Sequence, residues 1–132
     1  MAASDYATVT PYLLVNNVSR LIEFLNAAFG AHERVRLPRP DGSVMHAEVR
    51  LGNSIIMMGE PVKGMDAMPG AIFLRVDDSD AAYQRALRAG ATSMSEPADY
   101  PHAGERYGGV KDPCGNIWWP ATPLRQPGHE AS

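Results

Sequence analysis

The sequence has one cysteine, no strongly basic run and no long apolar run, and each shortage excludes a class of protein. With Cys114 as the only cysteine among 132 residues, the chain cannot form an internal disulfide. No run reaches the roughly 18 apolar residues of a membrane-spanning helix, and residues 1–6 lack the features of a secretion signal. We therefore expect a cytoplasmic protein with no membrane partner.

The charge balance argues against a nucleic-acid partner. The formal net charge is only -3, from 12 basic and 15 acidic residues. The basic residues form no stretch of the kind that follows a phosphate backbone. A chain of this length buries about two thirds of its unfolded surface in one core. We expect one domain over residues 1–132, with a small molecule as its ligand.

What the chain does contain is an internal repeat. Residues 10–17 read TPYLLVNN and residues 71–78 read AIFLRVDD, and each stretch is followed by a helical pattern that ends in Gly-Ala. Each copy then closes with a hairpin, VRLGNSII at 49–56 and VKDPCGNIWW at 110–119. The repeat predicts two modules of the same fold.

Periodicity and turn residues predict the order βαβββ in each module. The first module is predicted to contain a strand over 8–15, a helix over 18–30 and strands over 34–37, 44–51 and 54–58. The second is predicted to contain a strand over 72–76, a helix over 80–89 and strands over 92–95, 106–111 and 116–119. Proline and glycine predict a connector over 61–70, between module 1 at 8–60 and module 2 at 71–122, and an irregular stretch over 97–104.

These features resemble the vicinal oxygen chelate superfamily, and within it the glyoxalase/bleomycin-resistance/dioxygenase group. The resemblance rests on the paired modules, the helix end AFG at 28–30, the hairpin DGSVMHAEVRLGNS at 41–54 and the ending RYGGVKDPCGNIWW at 106–119. It implies an α+β fold, in which two βαβββ modules form a curved, partly open mixed sheet around a cavity with helices on the outer face. It also implies a homodimer, because members of the superfamily pair their modules within or between chains.

Alternation along the predicted strands indicates which side chains face that cavity. In the strand over 44–51, an apolar row is predicted to pack under the helices and the other row to line the concave face. The apolar row is Met45, Ala47, Val49 and Leu51, and the concave row is Val44, His46, Glu48 and Arg50. The predicted ligand-binding residues are Tyr12, Phe73, Tyr107 and Trp119 as aromatic walls, with Met57, Arg50, Arg75 and Lys111 beside them. Such a pocket suits a flat, partly apolar ligand with a polar edge.

Several of these residues allow two interpretations. His46 and Glu48 are either a general base with its orienting carboxylate or a satisfied polar pair on one strand. Arg75 and Lys111 either hold an anionic ligand or lie in solvent at the rim. Alternation sends Trp118 and Trp119 to opposite faces, so that one packs and Trp119 is the candidate for recognition.

The resemblance implies a divalent metal held by His, Glu or Gln at four positions. The matching residues are Thr10, Met57, Ala71 and Trp119, and none offers a suitable ligand atom. A new site built on His46 and Glu48 would need a third ligand, and the other histidines have no spacing that favours one. We therefore predict no metal and no other cofactor.

Two hypotheses of different classes remain from the sequence. The first is a metal-free protein that binds an aromatic or extended small molecule, as drug-binding members of the group do. The second is an enzyme, either a metal-free isomerase or lyase that uses His46 with Glu48, or a divergent glyoxalase or dioxygenase. Cys114 is predicted to be an exposed turn residue with no partner base.

Overall fold

A computed structural model describes residues 6–124 of the chain. Within that range the first module contains β1 (Tyr12–Leu14), α1 (Val18–Phe29), β2 (His32–Pro38), β3 (Val44–Leu51) and β4 (Ser54–Gly59). The second module contains β5 (Ala71–Arg75), α2 (Ser79–Arg88), β6 (Thr92–Tyr100), β7 (Glu105–Lys111) and β8 (Ile117–Pro123), with a short 3-10 helix at Pro101–Ala103.

The two modules have the same sheet topology. Their strand orders are β1-β4-β3-β2 and β5-β8-β7-β6. In each sheet the first strand runs parallel to its neighbour, and the remaining pairs are antiparallel. These two mixed sheets with one helix each confirm the predicted α+β class and the internal repeat.

Helix α1 begins and ends where the local sequence predicts. The Asn17 side chain accepts a hydrogen bond from the backbone N–H of Arg20, which satisfies one of the free donors of the first turn. Gly30 ends the helix with a φ of 74°, and its N–H donates to the carbonyls of Leu25 and Asn26. The second helix uses Asp78 in the same way, and it ends at Arg88.

The core lies where the helices pack against the sheets and against each other. One cluster of buried side chains joins α1 and α2 to residues such as Val49 and Trp118. Each helix also donates to the end of the other: Arg20 Nη2 lies 2.7 Å from the Ala89 carbonyl, and Arg85 Nε lies 3.0 Å from the Ala28 carbonyl. Because both sheets cover this core with one face, each has a second face that points away from it.

We call these outward surfaces the first and second open face. The residues that define the first are Tyr12, His46, Glu48 and Met57. The residues that define the second are Phe73, Arg75, Tyr107 and Trp119.

Three predictions from the sequence are wrong in detail. Met45 was predicted to be buried, but it is 46% exposed. The register between β2 and β3 shifts next to Pro38, which interrupts the alternation and buries Val44 instead. The strand predicted over 92–95 continues to Tyr100, because two register shifts accommodate Pro97 and allow Ala98 to pair with Tyr107.

The first strand is also shorter than predicted. It spans Tyr12–Leu14 instead of residues 8–15, and Pro11 immediately before it has no N–H to donate to a ladder. Between residues 6 and 124, neither helix combines the length and the apolar character that crossing a bilayer requires.

Candidate ligand-binding site

The first open face carries a row of three polar side chains joined by hydrogen bonds. Tyr12, Met57 and Glu48 lie opposite one another on β1, β4 and β3, and His46 is two residues from Glu48 on the same strand face. Nε2 of His46 lies 2.8 Å from Oε2 of Glu48, and its Nδ1 lies 3.3 Å from the Tyr12 hydroxyl. His46 therefore connects the carboxylate to an exposed phenol.

Glu48 is almost completely buried, with only 4% of its surface exposed. Besides His46, its carboxylate accepts hydrogen bonds from the Tyr6 hydroxyl, at 2.9 and 3.1 Å. Nε of Arg34 lies 3.9 Å away. Burial by itself would raise the pKa of Glu48, but the hydrogen bonds and the nearby positive charges outweigh it and hold that pKa below its ordinary value.

The ionised carboxylate determines which nitrogen of His46 carries a proton. A carboxylate can only accept, so Nε2 must be the donor in this pair. In the neutral imidazole, Nδ1 then has a lone pair that accepts from the Tyr12 hydroxyl. The three side chains can orient a ligand that forms hydrogen bonds. Their order also suits proton transfer from the Tyr12 hydroxyl to the imidazole of His46, with Glu48 as the orienting carboxylate.

The second open face is aromatic. Phe73 lies beside Trp119 across the parallel β5–β8 pair. The Phe73 and Tyr107 rings meet edge to face at 5.6 Å, and Tyr107 stacks on Tyr100 at 4.3 Å. Because Phe73 is 51% exposed, this surface offers a ring face to an aromatic ligand.

An ion pair accompanies the aromatic side chains. Nη2 of Arg75 lies 3.0 Å from Oε2 of Glu105. The other oxygen, Oε1 of Glu105, is buried and has no hydrogen-bond partner among residues 6–124. A buried acceptor without a donor costs free energy, so this oxygen is the unsatisfied atom of the ion pair. Lys111 is exposed at the other end of β7, the strand that begins at Glu105.

Glycines provide the room for the aromatic rings on both faces. A Cβ added to Gly59 would come within 2.7 Å of the Tyr12 hydroxyl, and one added to Gly109 would come within 3.1 Å of Nε1 of Trp119. The Tyr12 ring therefore lies across β4 at Gly59, and the Trp119 ring lies across β7 at Gly109, where no side chain is in the way. Trp118 points the other way into the core, with none of its surface exposed, as alternation predicted.

The structure brings the predicted site residues together in two groups and not in one cavity. Tyr12, His46, Glu48 and Met57 form one group and Phe73, Tyr107, Trp119 and Arg75 form the other; Arg50 is half-buried on β3. A cavity of about 420 Å³ lies between residues 7–11, the β3–β4 turn and β5, and it includes Phe73 and Arg75 from the second group. None of the first group lines this cavity.

A model of one protein family matches residues 5–119, which is most of the chain, and its description is the Glyoxalase/Bleomycin resistance protein/Dioxygenase superfamily. The chain belongs to this superfamily. The fold and the repeat found here are those that the sequence resemblance implied. The superfamily includes binding proteins and enzymes, so membership alone does not assign an activity.

Relatives of this superfamily member occur in mycobacteria. Uncharacterized proteins of Mycobacterium bovis and Mycobacterium tuberculosis are each 36% identical over 137 residues. The alignments cover 96% of this chain and 90% and 80% of the two relatives.

Several solved structures are similar to this chain in fold. TioX from Micromonospora sp. ML1 has a TM-score of 0.73 at 24% identity, covering 89% of this chain and 99% of TioX. The fosfomycin resistance protein FosX from Mesorhizobium loti has a TM-score of 0.64 at 17% identity, covering 94% and 95%. A lactoylglutathione lyase from Agrobacterium tumefaciens has a TM-score of 0.67 at 16% identity, covering 88% and 92%.

The side chains at the superfamily's metal positions do not fit a divalent cation. The positions that the resemblance identifies are Thr10, Met57, Ala71 and Trp119, which carry a hydroxyl, a thioether, a methyl group and an indole. The strand partners of Met57 and Trp119 are Tyr12 and Phe73, a phenol and a phenyl ring. None of these is a usual ligand of a divalent metal in its ordinary state. Among residues 6–124, no three His, Cys, Asp or Glu side chains are grouped so that they could hold a metal ion.

Cys114 does not belong to either group. It was predicted to be exposed, but it is half-buried and its thiol donates to the Asn17 carbonyl at 3.3 Å. Burial, together with the nearby Asp112 carboxylate, raises the pKa of the thiol to about 11. Such a thiol stays protonated at neutral pH and is a poor nucleophile.

Sequence reasoning missed four residues that take part in the two groups. Glu105 shares the face of Tyr107, so alternation would have found it, whereas Tyr100 lies in the stretch that was predicted to be irregular. Tyr6 contacts Glu48 from the irregular segment before β1, and Arg34 contacts it from the neighbouring strand β2. No local sequence pattern predicts either contact.

Proposed function

We propose that the protein is a metal-free cytoplasmic binding protein, a homodimer that sequesters a small aromatic or extended organic molecule. The observation that carries the proposal is that each open face combines an exposed aromatic ring with a polar pair. Tyr12 is 46% exposed beside His46 and Glu48, and Phe73 is 51% exposed beside the Arg75–Glu105 pair. Exposed apolar surface rimmed by polar groups marks an interaction site.

Membership of the superfamily supports a role in sequestration or resistance. Its name includes bleomycin resistance proteins, and a fosfomycin resistance protein shares the fold. In the proposed site, which joins the second open face of one protomer to the first open face of its partner, Trp119 forms the aromatic wall with Tyr12, Phe73 and Tyr107, and the polar edge of the ligand bonds to His46 or Glu48. Arg50, Met57 and Lys111 lie at its margin.

The Trp119→Ala variant tests this proposal once a ligand has been found by thermal-shift screening. An aromatic anchor in a desolvated pocket contributes about 2 kcal/mol to binding, so affinity should fall about thirtyfold. Phe29→Ala, which removes a partly buried ring from the opposite side of the sheet, is the control for a general loss of packing. Unchanged affinity in folded Trp119→Ala would show that the second open face does not bind the ligand.

An enzyme is the second candidate, and the contact between His46 and Tyr12 favours it. A glyoxalase-like lyase or isomerase, or a dioxygenase that uses an unrecognised metal site, would need a base in contact with substrate. His46, which is hydrogen-bonded to Tyr12 on one side and to Glu48 on the other, supplies such a base without a metal. His46→Ala separates the candidates: a binding protein loses some affinity, whereas an enzyme loses turnover.

A further inference from the structure

The side chain of Tyr6 already occupies part of the first open face. Its hydroxyl bonds both oxygens of Glu48, at 2.9 and 3.1 Å. The guanidinium carbon of Arg34 lies 5.7 Å from the centre of its ring. Tyr6 comes from the segment before β1, where the following residues, 7–9, are exposed. A single aromatic side chain on a weakly packed segment therefore helps to cover Glu48.

The groups around that ring select for a neutral hydroxyl on an aromatic ring. The Glu48 carboxylate accepts a donor and repels an anion. Arg34 attracts the face of an aromatic ring and repels a cation. Among simple donors, a phenol satisfies both requirements, because it donates one hydrogen bond without carrying a charge at neutral pH.

We propose that Tyr6 is an internal substitute for the ligand and that the ligand is a phenol, which displaces Tyr6 and donates its hydroxyl to Glu48. This inference rests on the proposed binding function and specifies the ligand class for the same site. Glu48 stays paired with a phenol in both states, so its buried charge is never left without a donor. The ligand ring takes the place of the Tyr6 ring beside Arg34.

Two naphthalenes test the proposal in the full-length protein. The probes are 2-naphthol and 2-methoxynaphthalene, which share the ring system but differ in the ability to donate a hydrogen bond. Calorimetry should show that 2-naphthol binds at least about tenfold more tightly, since a hydrogen bond to a charged acceptor is worth that factor or more. Glu48→Gln should remove most of this preference.

Removing the internal phenol should strengthen binding of the external one. Tyr6→Ala should raise the affinity for 2-naphthol about tenfold, because no hydrogen bond to the carboxylate must first be broken. Tyr6→Phe should give a smaller gain, since the ring still fills the space. Thr8→Ala, a change at an exposed position of the same segment, should leave the affinity unchanged.

Three results would overturn the proposal. If Tyr6→Ala bound 2-naphthol no better than the unaltered protein, Tyr6 would not occupy the ligand's place. If both naphthalenes bound Tyr6→Ala equally well, the ligand class would be wrong while the proposed binding of aromatic molecules would stand. Failure of both probes to bind any variant would overturn this proposal and the proposed function together.

Discussion

Glu48 is the most constrained charged side chain of the first open face. Only 4% of its surface is exposed, yet its pKa is held below the ordinary value of 4.5 because donors from His46 and Tyr6 and the charge of Arg34 outweigh the effect of burial. A buried carboxylate remains ionised only if donors surround it in this way. The network therefore stabilises the folded protein as well as shaping a site.

The lowered pKa of Glu48 predicts how stability depends on pH. A carboxylate whose folded pKa lies below its unfolded one adds stability that is complete above the unfolded pKa and is lost as pH falls through the folded pKa. The free energy of unfolding should therefore drop as pH falls below the ordinary pKa of 4.5, and more steeply in the unaltered protein than in Glu48→Gln. Urea denaturation at several pH values measures this, and parallel curves would contradict the assignment.

The chemistry of the four metal-position side chains predicts the metal content. Thr10, Met57, Ala71 and Trp119 carry no imidazole or carboxylate, so the purified protein should contain far less than one equivalent of divalent metal per chain. Elemental analysis checks this. About one equivalent of zinc, nickel, iron or manganese, lost on chelation together with activity, would show that other residues bind the metal.

At the scale of elements, the turn between β7 and β8 places Trp119. Asp112 is buried and accepts four hydrogen bonds: from the N–H groups of Cys114 and Asn116 at 2.8 and 3.0 Å, from the Asn116 amide at 2.9 Å and from the Trp118 indole at 2.7 Å. Asn116 in turn accepts from the N–H of Gly70 at 2.8 Å. The turn thus connects β8 to the segment before β5.

Replacing Asp112 with asparagine should destabilise the protein by about 2 kcal/mol, because the amide offers one acceptor oxygen and leaves buried donors unpaired. Chemical denaturation measures the change. Asp66→Asn makes the same substitution at an exposed connector position and should have little effect. Equal stability of the two variants would show that the turn does not depend on its carboxylate.

The sequence predicted the elements better than it predicted the site. The strand over 44–51 was predicted to the residue, because its apolar positions alternate and turns flank it. Within that strand Met45 was misplaced, since a register shift depends on the partner strand and leaves no mark in the local pattern. Alternation likewise assigned Tyr12 and Trp119 to open faces, but it cannot tell which faces meet in space.

At the scale of the whole molecule, the helices determine where the open faces point. Because α1 and α2 pack together at the core, the two sheets present Tyr12 and Phe73 on surfaces directed away from that core. One chain therefore exposes two aromatic faces, and we propose that each is half of a ligand site. A second copy could cover the first open face of one chain with the second open face of the other, and it would also cover exposed apolar side chains.

This argument predicts a homodimer with a site shared between protomers. Light scattering at micromolar concentration should give twice the chain mass of 14.3 kDa, and a mass near that of one chain would exclude the dimer. The shared site makes a sharper prediction for mixed dimers of Tyr12→Ala and Trp119→Ala chains. Each variant alone has two damaged sites, but the mixed dimer has one intact site and one that is damaged twice.

The purified mixed dimer should then bind one ligand per dimer with the affinity of the unaltered protein, as measured by calorimetry. If each site lay within one chain, the mixed dimer would contain no intact site and would bind as weakly as its parents. Thr8→Ala chains mixed with unaltered ones should keep two sites and control for the mixing procedure. The two results differ only in whether the first open face of one protomer lies opposite the second open face of its partner, so the experiment measures the arrangement of the protomers directly. It does so both for a binding protein and for an enzyme.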